Sequence, residues 1–345
     1  MGVSRSESGE GGSPRTLYAL NLTGGAIERI DPHTGQAATI AAGLREALDG
    51  IVVDERAGTI TFTFMGVPDG WAAALADLPP DSPPASAAAA ITNAGEPTFF
   101  ERTGSVQRVP LAGLEGGEQP EVIVPWGVFV TGKQLTSDPT SRRLYWADRE
   151  GRGVWRSEAD GSDPVRVIST AGRLGGAHAS SDEGQQEWCV GVAVDSENGY
   201  LYWSQKGPSK GGAGRILRAG LSIPGGETDL TRTDIEVLWE HLPEPIDLEI
   251  DRAAGYLYWT DRGAEPDGNS LNCAPVPAPG YSGERPTVLA RGFREAIGLA
   301  LDIPGRQAYV SDLSGEIRVV DLETRASRIL TTLSGAATGL ALSGD

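Results

Sequence analysis

Two acidic residues, Asp247 and Glu249, interrupt a stretch that otherwise has the pattern of a buried β-strand. They lie in the segment DLEIDRAAGYLYWTDRG, residues 247–263. Side chains at i and i+2 of a strand share one face, about 7 Å apart. Crowded carboxylates raise the pKa of one member of the pair, which suits general acid/base catalysis. The spacing predicts acid/base chemistry, a water-filled acidic lining, or a site for a hard cation such as Ca²⁺ with Gln134 and water as further ligands.

The same segment recurs along the chain, and its recurrence defines the element that must position the two acids. The tyrosines of its copies are spaced by 57, 56 and 51 residues. These tyrosines are Tyr145, Tyr202, Tyr258 and Tyr309. Each copy contains two strands joined by a tight turn, and two further strand-like runs follow it. A unit of this size with four short strands predicts a propeller blade.

The repeat predicts an all-β fold, a six-bladed β-propeller of four-stranded antiparallel blades. The chain ends on an inner strand, ATGLALSGD at 337–345, and begins on the missing second strand, TLYALN at 16–21. Pairing of these segments would close the ring and remove a free sheet edge. We expect residues 15–345 to form a single domain and residues 1–14 to be a disordered tail.

The second strands carry a family resemblance. They read LYWAD at 144–148, LYWSQ at 201–205, LYWTD at 257–261 and AYVSD at 308–312, several of them preceded by a GLALD-type inner strand. The sequence resembles the YWTD-type six-bladed propellers of lipoprotein-receptor ectodomains. The resemblance implies the fold and, as the usual role of that family, protein interaction.

The inner strands are expected to line the central channel with their first and third positions. The first position reads Gly50, Gln134, Gly191, Asp247, Gly298 and Gly339. The third reads Val52, Thr136, Ala193, Glu249, Ala300 and Ala341. The pattern thus predicts Asp247 and Glu249 as catalytic residues, and Gln134, Thr136 and the adjacent Lys133 as substrate-binding residues.

Insertions are concentrated in the loops on one face, called here the loop-rich face, whereas the turns on the opposite face are short. The insertions span residues 66–103, 169–189, 205–214 and 261–270. Elaboration of one face is typical of a binding site. We expect the site at the channel mouth on this face. Its further candidates are His178 as a catalytic residue, Trp188 as a stacking platform or a packing residue, and Glu187, Trp71 and Glu295 as substrate-binding residues.

Composition and charge exclude several classes of function. The 345 residues carry a formal net charge of −18, which would repel nucleic acid and anionic membranes. Cys189 and Cys273 do not form a disulfide framework, and the first residues do not read as a signal peptide. We therefore expect a cytoplasmic protein. Nucleotide-binding, zinc-protease and nucleophile-elbow motifs are absent from the sequence.

These observations predict a small-molecule enzyme of the hydrolase, lyase or cyclase type, working by carboxylate acid/base chemistry. The sequence does not specify a cofactor, and Asp247 and Glu249 are the candidate ligands if a divalent cation such as Ca²⁺ takes part. Two alternatives stay open: a YWTD-like protein-interaction module, and a non-catalytic binder of a small ligand in the same pocket.

Overall fold

The computed structural model describes residues 15–44, 47–69, 97–114, 118–172 and 182–344. The predicted tail, Trp71 and His178 lie outside the described residues. None of the helices in the described ranges has the length and apolarity that crossing a membrane requires.

The described chain is built of 24 short strands and one short helix, α1 (Asp182–Gln185). In chain order the strands are β1 (Leu17–Asn21), β2 (Ala26–Ile30), β3 (Ala37–Ala41), β4 (Leu48–Asp54), β5 (Thr59–Phe64), β6 (Ser105–Pro110), β7 (Glu121–Val124), β8 (Gly132–Ser137), β9 (Leu144–Asp148), β10 (Gly153–Ser157), β11 (Val165–Ser169), β12 (Cys189–Asp195), β13 (Tyr200–Gln205), β14 (Gly214–Gly220), β15 (Glu236–Leu242), β16 (Pro245–Asp251), β17 (Tyr256–Asp261), β18 (Ser270–Pro275), β19 (Thr287–Arg291), β20 (Ala296–Asp302), β21 (Gln307–Asp312), β22 (Glu316–Asp321), β23 (Ser327–Thr332) and β24 (Ala337–Leu342).

The strands form six four-stranded sheets, which are the blades of a propeller. Blade 1 has the order β24-β1-β2-β3, and blades 2 to 6 take β4–β7, β8–β11, β12–β15, β16–β19 and β20–β23 in turn. The C-terminal strand pairs antiparallel with β1, so that Leu17 lies opposite Leu342. The predicted six-bladed fold and its ring closure are confirmed.

Each inner strand begins at the loop-rich face and ends at the opposite face, called here the turn face. The repeated aromatic residues fill the space between blades: Trp146, Trp203 and Trp259 are each at most 1% exposed. Burial of such large apolar side chains stabilises a fold by about 1.5–3 kcal/mol each.

The serine or threonine of the repeated motif joins neighbouring blades. In blade 5, the Thr260 hydroxyl accepts the Asp247 N–H at 3.1 Å and donates to the Ile297 carbonyl of blade 6 at 2.6 Å. The hydroxyl thus satisfies two buried backbone groups that the pleated ladder leaves without partners. Thr63, Ser204, Thr260 and Ser311 all make this pair of hydrogen bonds.

The aspartate of the motif secures the loop that leads into the inner strand in blades 3, 5 and 6. The Asp261 carboxylate accepts the Glu244 N–H at 3.0 Å and the Gly263 N–H at 2.8 Å. In blade 1 the equivalent residue is Asn21, whose amide oxygen accepts the Gly24 N–H of the turn after β1 at 2.9 Å. Burial raises the pKa of Asp261 to about 7, against the lowering effect of the two backbone donors.

We predict that Asp261 makes the fold less stable as the pH rises from about 4 to about 7. In this window an unfolded aspartate has lost its proton while buried Asp261 keeps it, so the native state binds more protons and the free energy of unfolding falls. Asp261→Asn should therefore show a smaller decline in Tm with rising pH than the wild type. The variant's amide is compatible with the fold, because Asn21 occupies the equivalent position of blade 1.

Thermal unfolding of both proteins between about pH 4.5 and about pH 7.5 measures this difference. Asp163→Asn is the matched control, because Asp163 is exposed on a different blade, and its Tm curve should run parallel to that of the wild type. Parallel curves for wild type and Asp261→Asn would show that Asp261 titrates alike in the folded and unfolded chains.

Candidate functional site

The first position of each inner strand faces the neighbouring blade, not an open channel. A Cβ added to Gly191 would lie 2.1 Å from the Ile246 carbonyl oxygen, and one added to Gly298 would lie 2.2 Å from the Thr338 carbonyl oxygen. Gly50 and Gly339 meet backbone atoms of the next inner strand as closely. The expectation that first-position residues line the channel is therefore wrong for these glycines, because adjacent strands are too close to admit a side chain.

Asp247 is the first-position residue of blade 5, and its side chain bridges blades 5 and 6. One carboxylate oxygen accepts the Leu248 N–H at 2.9 Å, and the other accepts the Leu299 N–H of the next blade at 2.9 Å. Burial, and then the negative charge of Glu249, raise the pKa of Asp247 well above its usual range, while the two backbone donors lower it. Asp247, which was predicted as a catalytic acid in an open channel, is therefore a buried residue that links two inner strands.

Glu249 and Thr136, at the third position, line a cavity of about 340 Å³. The remaining third-position residues of its wall are Val52, Ala300 and Ala341. The cavity also reaches the ends of the inner strands and the turns beyond them, at Pro139 and Arg252. It therefore opens on the turn face, opposite to the predicted channel mouth.

Asp49 is a channel residue that sequence reasoning missed. It forms a buried ion pair with Lys133, and its Oδ1 accepts the Gln134 Nε2–H at 3.1 Å. The ladder between β4 and β5 shifts register between Leu48 and Ile51. This bulge breaks the alternation of side chains and turns the residue before the first position inward.

A sequence signal for Asp49 was present. The equivalent positions of blades 4, 5 and 6 hold Val190, Ile246 and Ile297, which form a buried apolar cluster. An aspartate and Lys133 at positions where other blades place branched apolar residues indicate a buried pair. Burial lowers the pKa of Lys133, although Asp49 beside it favours the charged form.

Trp188 does not offer a free stacking surface. The residue is 2% exposed, and the Arg149 guanidinium and the Lys206 ammonium lie 4.8 Å and 5.1 Å from its ring centroid. Cations over an indole ring are attracted by its quadrupole. The packing alternative therefore holds for Trp188, and its predicted role as a stacking platform is wrong.

Glu187 and Glu295 are both engaged in ion pairs. The Glu187 carboxylate is 1% exposed and accepts Arg152 Nη1–H at 2.8 Å. Glu295 Oε1 lies 2.8 Å from Lys210 Nζ, with its side chain 31% exposed at the loop-rich face. The structure thus brings Gln134 and Lys133 together with Asp49, and places Glu187 and Glu295 in separate pairs.

Asp247 and Glu249 are the residues predicted to bind a divalent cation if one takes part. Within the described ranges, no three His, Cys, Asp or Glu side chains are grouped closely enough to hold an ion.

The loop-rich face carries three exposed apolar side chains on loops of blades 2 and 3. They are Val67, Phe100 and Trp126, which are 52%, 60% and 56% exposed and are called here the aromatic patch. A hydrogen bond of 2.8 Å from the Gly127 N–H to the Arg102 carbonyl joins the loops that carry Trp126 and Phe100. Phe100 lies in the insertion 66–103 that the sequence predicts on this face, whereas Trp126 was missed because its loop is short.

Comparison with known proteins gives relatives for the chain. It is 38% identical over 325 residues to a protein of Pyricularia oryzae named low-density lipoprotein receptor-related protein 1, a match that covers 92% of each chain. It is also 38% identical over 213 residues to a Cochliobolus heterostrophus protein named 3-hydroxyacyl-CoA dehydrogenase-like protein LAM1. That match covers 60% of this chain and 44% of the relative.

Among solved structures, a chain from the crystal structure of a nidogen/laminin complex superposes with a TM-score of 0.64 and 16% identity. The superposition covers 95% of this chain and 98% of that chain, and it shows the shared fold alone. No protein-family model matches the chain. From the blade architecture, the repeated motif and the full-length fungal relative, the chain belongs to the YWTD-type, lipoprotein-receptor-like family of six-bladed β-propellers.

Proposed function

We propose that this chain is a protein-interaction module that binds a partner protein through its loop-rich face. The observation that carries the proposal is the aromatic patch. Exposed apolar side chains grouped on a surface are typical of protein interfaces, and tryptophan is enriched among the residues that contribute most binding energy. Phe100 and Trp126 are therefore the expected anchors.

A buried stack holds the loops of the patch in place. The Arg149 guanidinium lies 5.6 Å from the ring centroid of Phe99 and 4.8 Å from that of Trp188. Arg149 also donates to the Pro97 carbonyl and pairs with Glu150 at 2.6 Å. The chain that presents Phe100 is thus attached to blade 3 before any partner arrives, which lowers the entropic cost of binding.

The relatives support the same direction. The structural neighbour was solved in a complex of nidogen with laminin, and the fungal relative bears the name of a lipoprotein-receptor-related protein. The neighbour and the relative are proteins other than this one, and their names support a protein partner for this chain by analogy alone.

We predict that Trp126→Ala reduces partner binding by about 30-fold or more, the effect of removing a central aromatic anchor. The test compares proteins recovered on immobilised wild type and variant, followed by titration of each purified candidate partner. Tyr281→Ala is the matched control, because Tyr281 is 71% exposed and lies in the loop between β18 and β19 on the turn face. Partners that bind wild type, Trp126→Ala and Phe100→Ala with equal affinity would contradict the proposal.

Acid/base chemistry on a small molecule is a second candidate function. It is favoured by the raised pKa of Asp247 beside Glu249, because two neighbouring carboxyl groups whose pKa values are driven apart are typical of acid/base sites. Glu249 is the member that lines the cavity, so it would touch the substrate, and Asp247 would set its electrostatic surroundings. The reaction class would be that of a hydrolase, lyase or cyclase.

For this candidate we predict that Glu249→Gln lowers any measured turnover by about 10²-fold or more, the usual contribution of a placed proton-transfer group. A panel of ester, lactone and amide substrates provides the assay. Glu323→Gln is the control, because its side chain is 68% exposed on a distant turn. Turnover that is equal in the wild type and Glu249→Gln would rule out catalysis by this carboxylate.

A further inference from the structure

Blade 2 departs from the repeat at the tyrosine of the second strand. In blades 1, 3 and 4 this tyrosine lies opposite an arginine of the third strand. The pairs are Tyr18 with Arg29, Tyr145 with Arg156, and Tyr202 with Arg218. Blade 2 keeps the arginine, Arg108, but places Thr61 opposite it. An aromatic ring that accompanies the arginine in three other blades is therefore missing from blade 2.

Blade 4 shows how an aromatic ring and this arginine fit together. The Arg218 guanidinium lies 4.8 Å from the ring centroid of Tyr200, which precedes Tyr202 by two residues on the same face of β13. Arg218 Nη1 also donates to the Pro277 carbonyl of blade 5 at 2.7 Å. The guanidinium thus joins two blades through its edge while its flat face attracts an aromatic ring.

Arg108 of blade 2 makes the same contact between blades without a ring beside it. Its Nη2 donates to the Ala159 carbonyl of blade 3, and its Nε donates to the Thr61 hydroxyl at 3.4 Å. Thr59 occupies the position that Tyr200 has in blade 4. Because the N–H groups of a guanidinium lie in its plane, these hydrogen bonds leave the flat face of Arg108 unused.

A cavity of about 600 Å³ lies between blades 2 and 3, where the two rings are missing. Thr59, Thr61 and Arg108 line it, and Val53 and Leu144 add apolar wall. The cavity opens on the turn face, between the turns that follow β4 and β8. A volume of roughly 300–1,000 Å³ is typical of sites for small molecules.

The charges around this cavity are nearly balanced. Acids and arginines both line it: Asp54, Glu55, Asp138, Asp160, Arg56, Arg108 and Arg142. Arg142 pairs with Asp54, and the Ser141 hydroxyl donates to Asp138 Oδ2. Since opposite charges of this number largely cancel, the local field selects neither a cation nor an anion, and a neutral ligand fits best.

We propose that the cavity between blades 2 and 3 binds a small molecule with a neutral, planar aromatic ring. The ring stacks on the face of Arg108, as Tyr200 does on Arg218, and contacts Val53 and Leu144. The threonines at positions 59 and 61 leave the room that tyrosines fill in blade 4. The site is separate from the aromatic patch, and its ligand needs no contact with Glu249.

Isothermal titration of the full chain with naphthol tests the proposal. The matched probe is the fully hydrogenated analogue of naphthol, which keeps the hydroxyl group and the two fused rings but lacks the aromatic face. We expect naphthol to bind at least about 10-fold more tightly, the scale of one cation–π contact that is shielded from water. Naphthoate, which adds a negative charge, should bind no more tightly than naphthol.

Variants locate the bound probe. Thr61→Tyr restores the ring of the repeat and should abolish naphthol binding, whereas Thr324→Tyr, the same change at an exposed turn of blade 6, should leave it unchanged. Arg108→Met keeps an apolar stem and removes the flat cation, so it should lower the affinity for naphthol to that for the hydrogenated analogue. Trp126→Ala should bind naphthol as the wild type does.

Four results would overturn the proposal. Equal affinity for naphthol and its hydrogenated analogue would show that no aromatic face is recognised. Full binding by Thr61→Tyr, or loss of binding in Trp126→Ala, would place the probe elsewhere on the protein. Tighter binding of naphthoate would show that the cavity selects an anion.

Discussion

The close approach of neighbouring inner strands is the constraint on which the rest of this propeller depends. At Gly191 and Gly298 the next blade's backbone lies where a Cβ would stand. At the same level, hydroxyl groups such as those of Ser204 and Thr260 link the backbone of one blade to that of the next. A ring assembled in this way needs a small residue on one strand and a short hydroxyl on its neighbour in most blades, which is the repeat that the sequence displays.

Ionisable groups at this level are exceptions that must satisfy the same constraint. Asp247 does so by accepting N–H groups from its own strand and from blade 6. Asp49 and Lys133 do so by pairing with each other. A buried charge without a partner would destabilise the fold, so the contacts of these residues are needed for stability before any chemistry. Glu249, one step further along the strand, is the acid that reaches a cavity.

The two faces of the ring consequently offer different chemistry. The loop-rich face presents apolar anchors above a stack of Phe99, Arg149 and Trp188. The turn face presents a cavity of about 340 Å³ that Glu249 lines.

Much of this architecture follows from the sequence alone, because it repeats. Periodic tyrosines and GLALD-type strands predict blades, their number and the closure of the ring, since each unit must bury the same faces against its neighbours. Single-residue positions within the channel were harder to predict. The alternation rule placed Asp247 in the open channel and overlooked Asp49, since bulges at the start of the inner strands shift the register.

The sequence by itself determined the fold, its family and the identity of the unusual acids Asp247 and Glu249. Only the tertiary structure decided what those acids meet. Asp247 meets backbone N–H groups, Glu249 meets a cavity, and that cavity opens on the face with short turns. The reason is physical: repetition specifies which blades pack together, whereas the environment of one side chain depends on atoms brought from other blades by the closed ring.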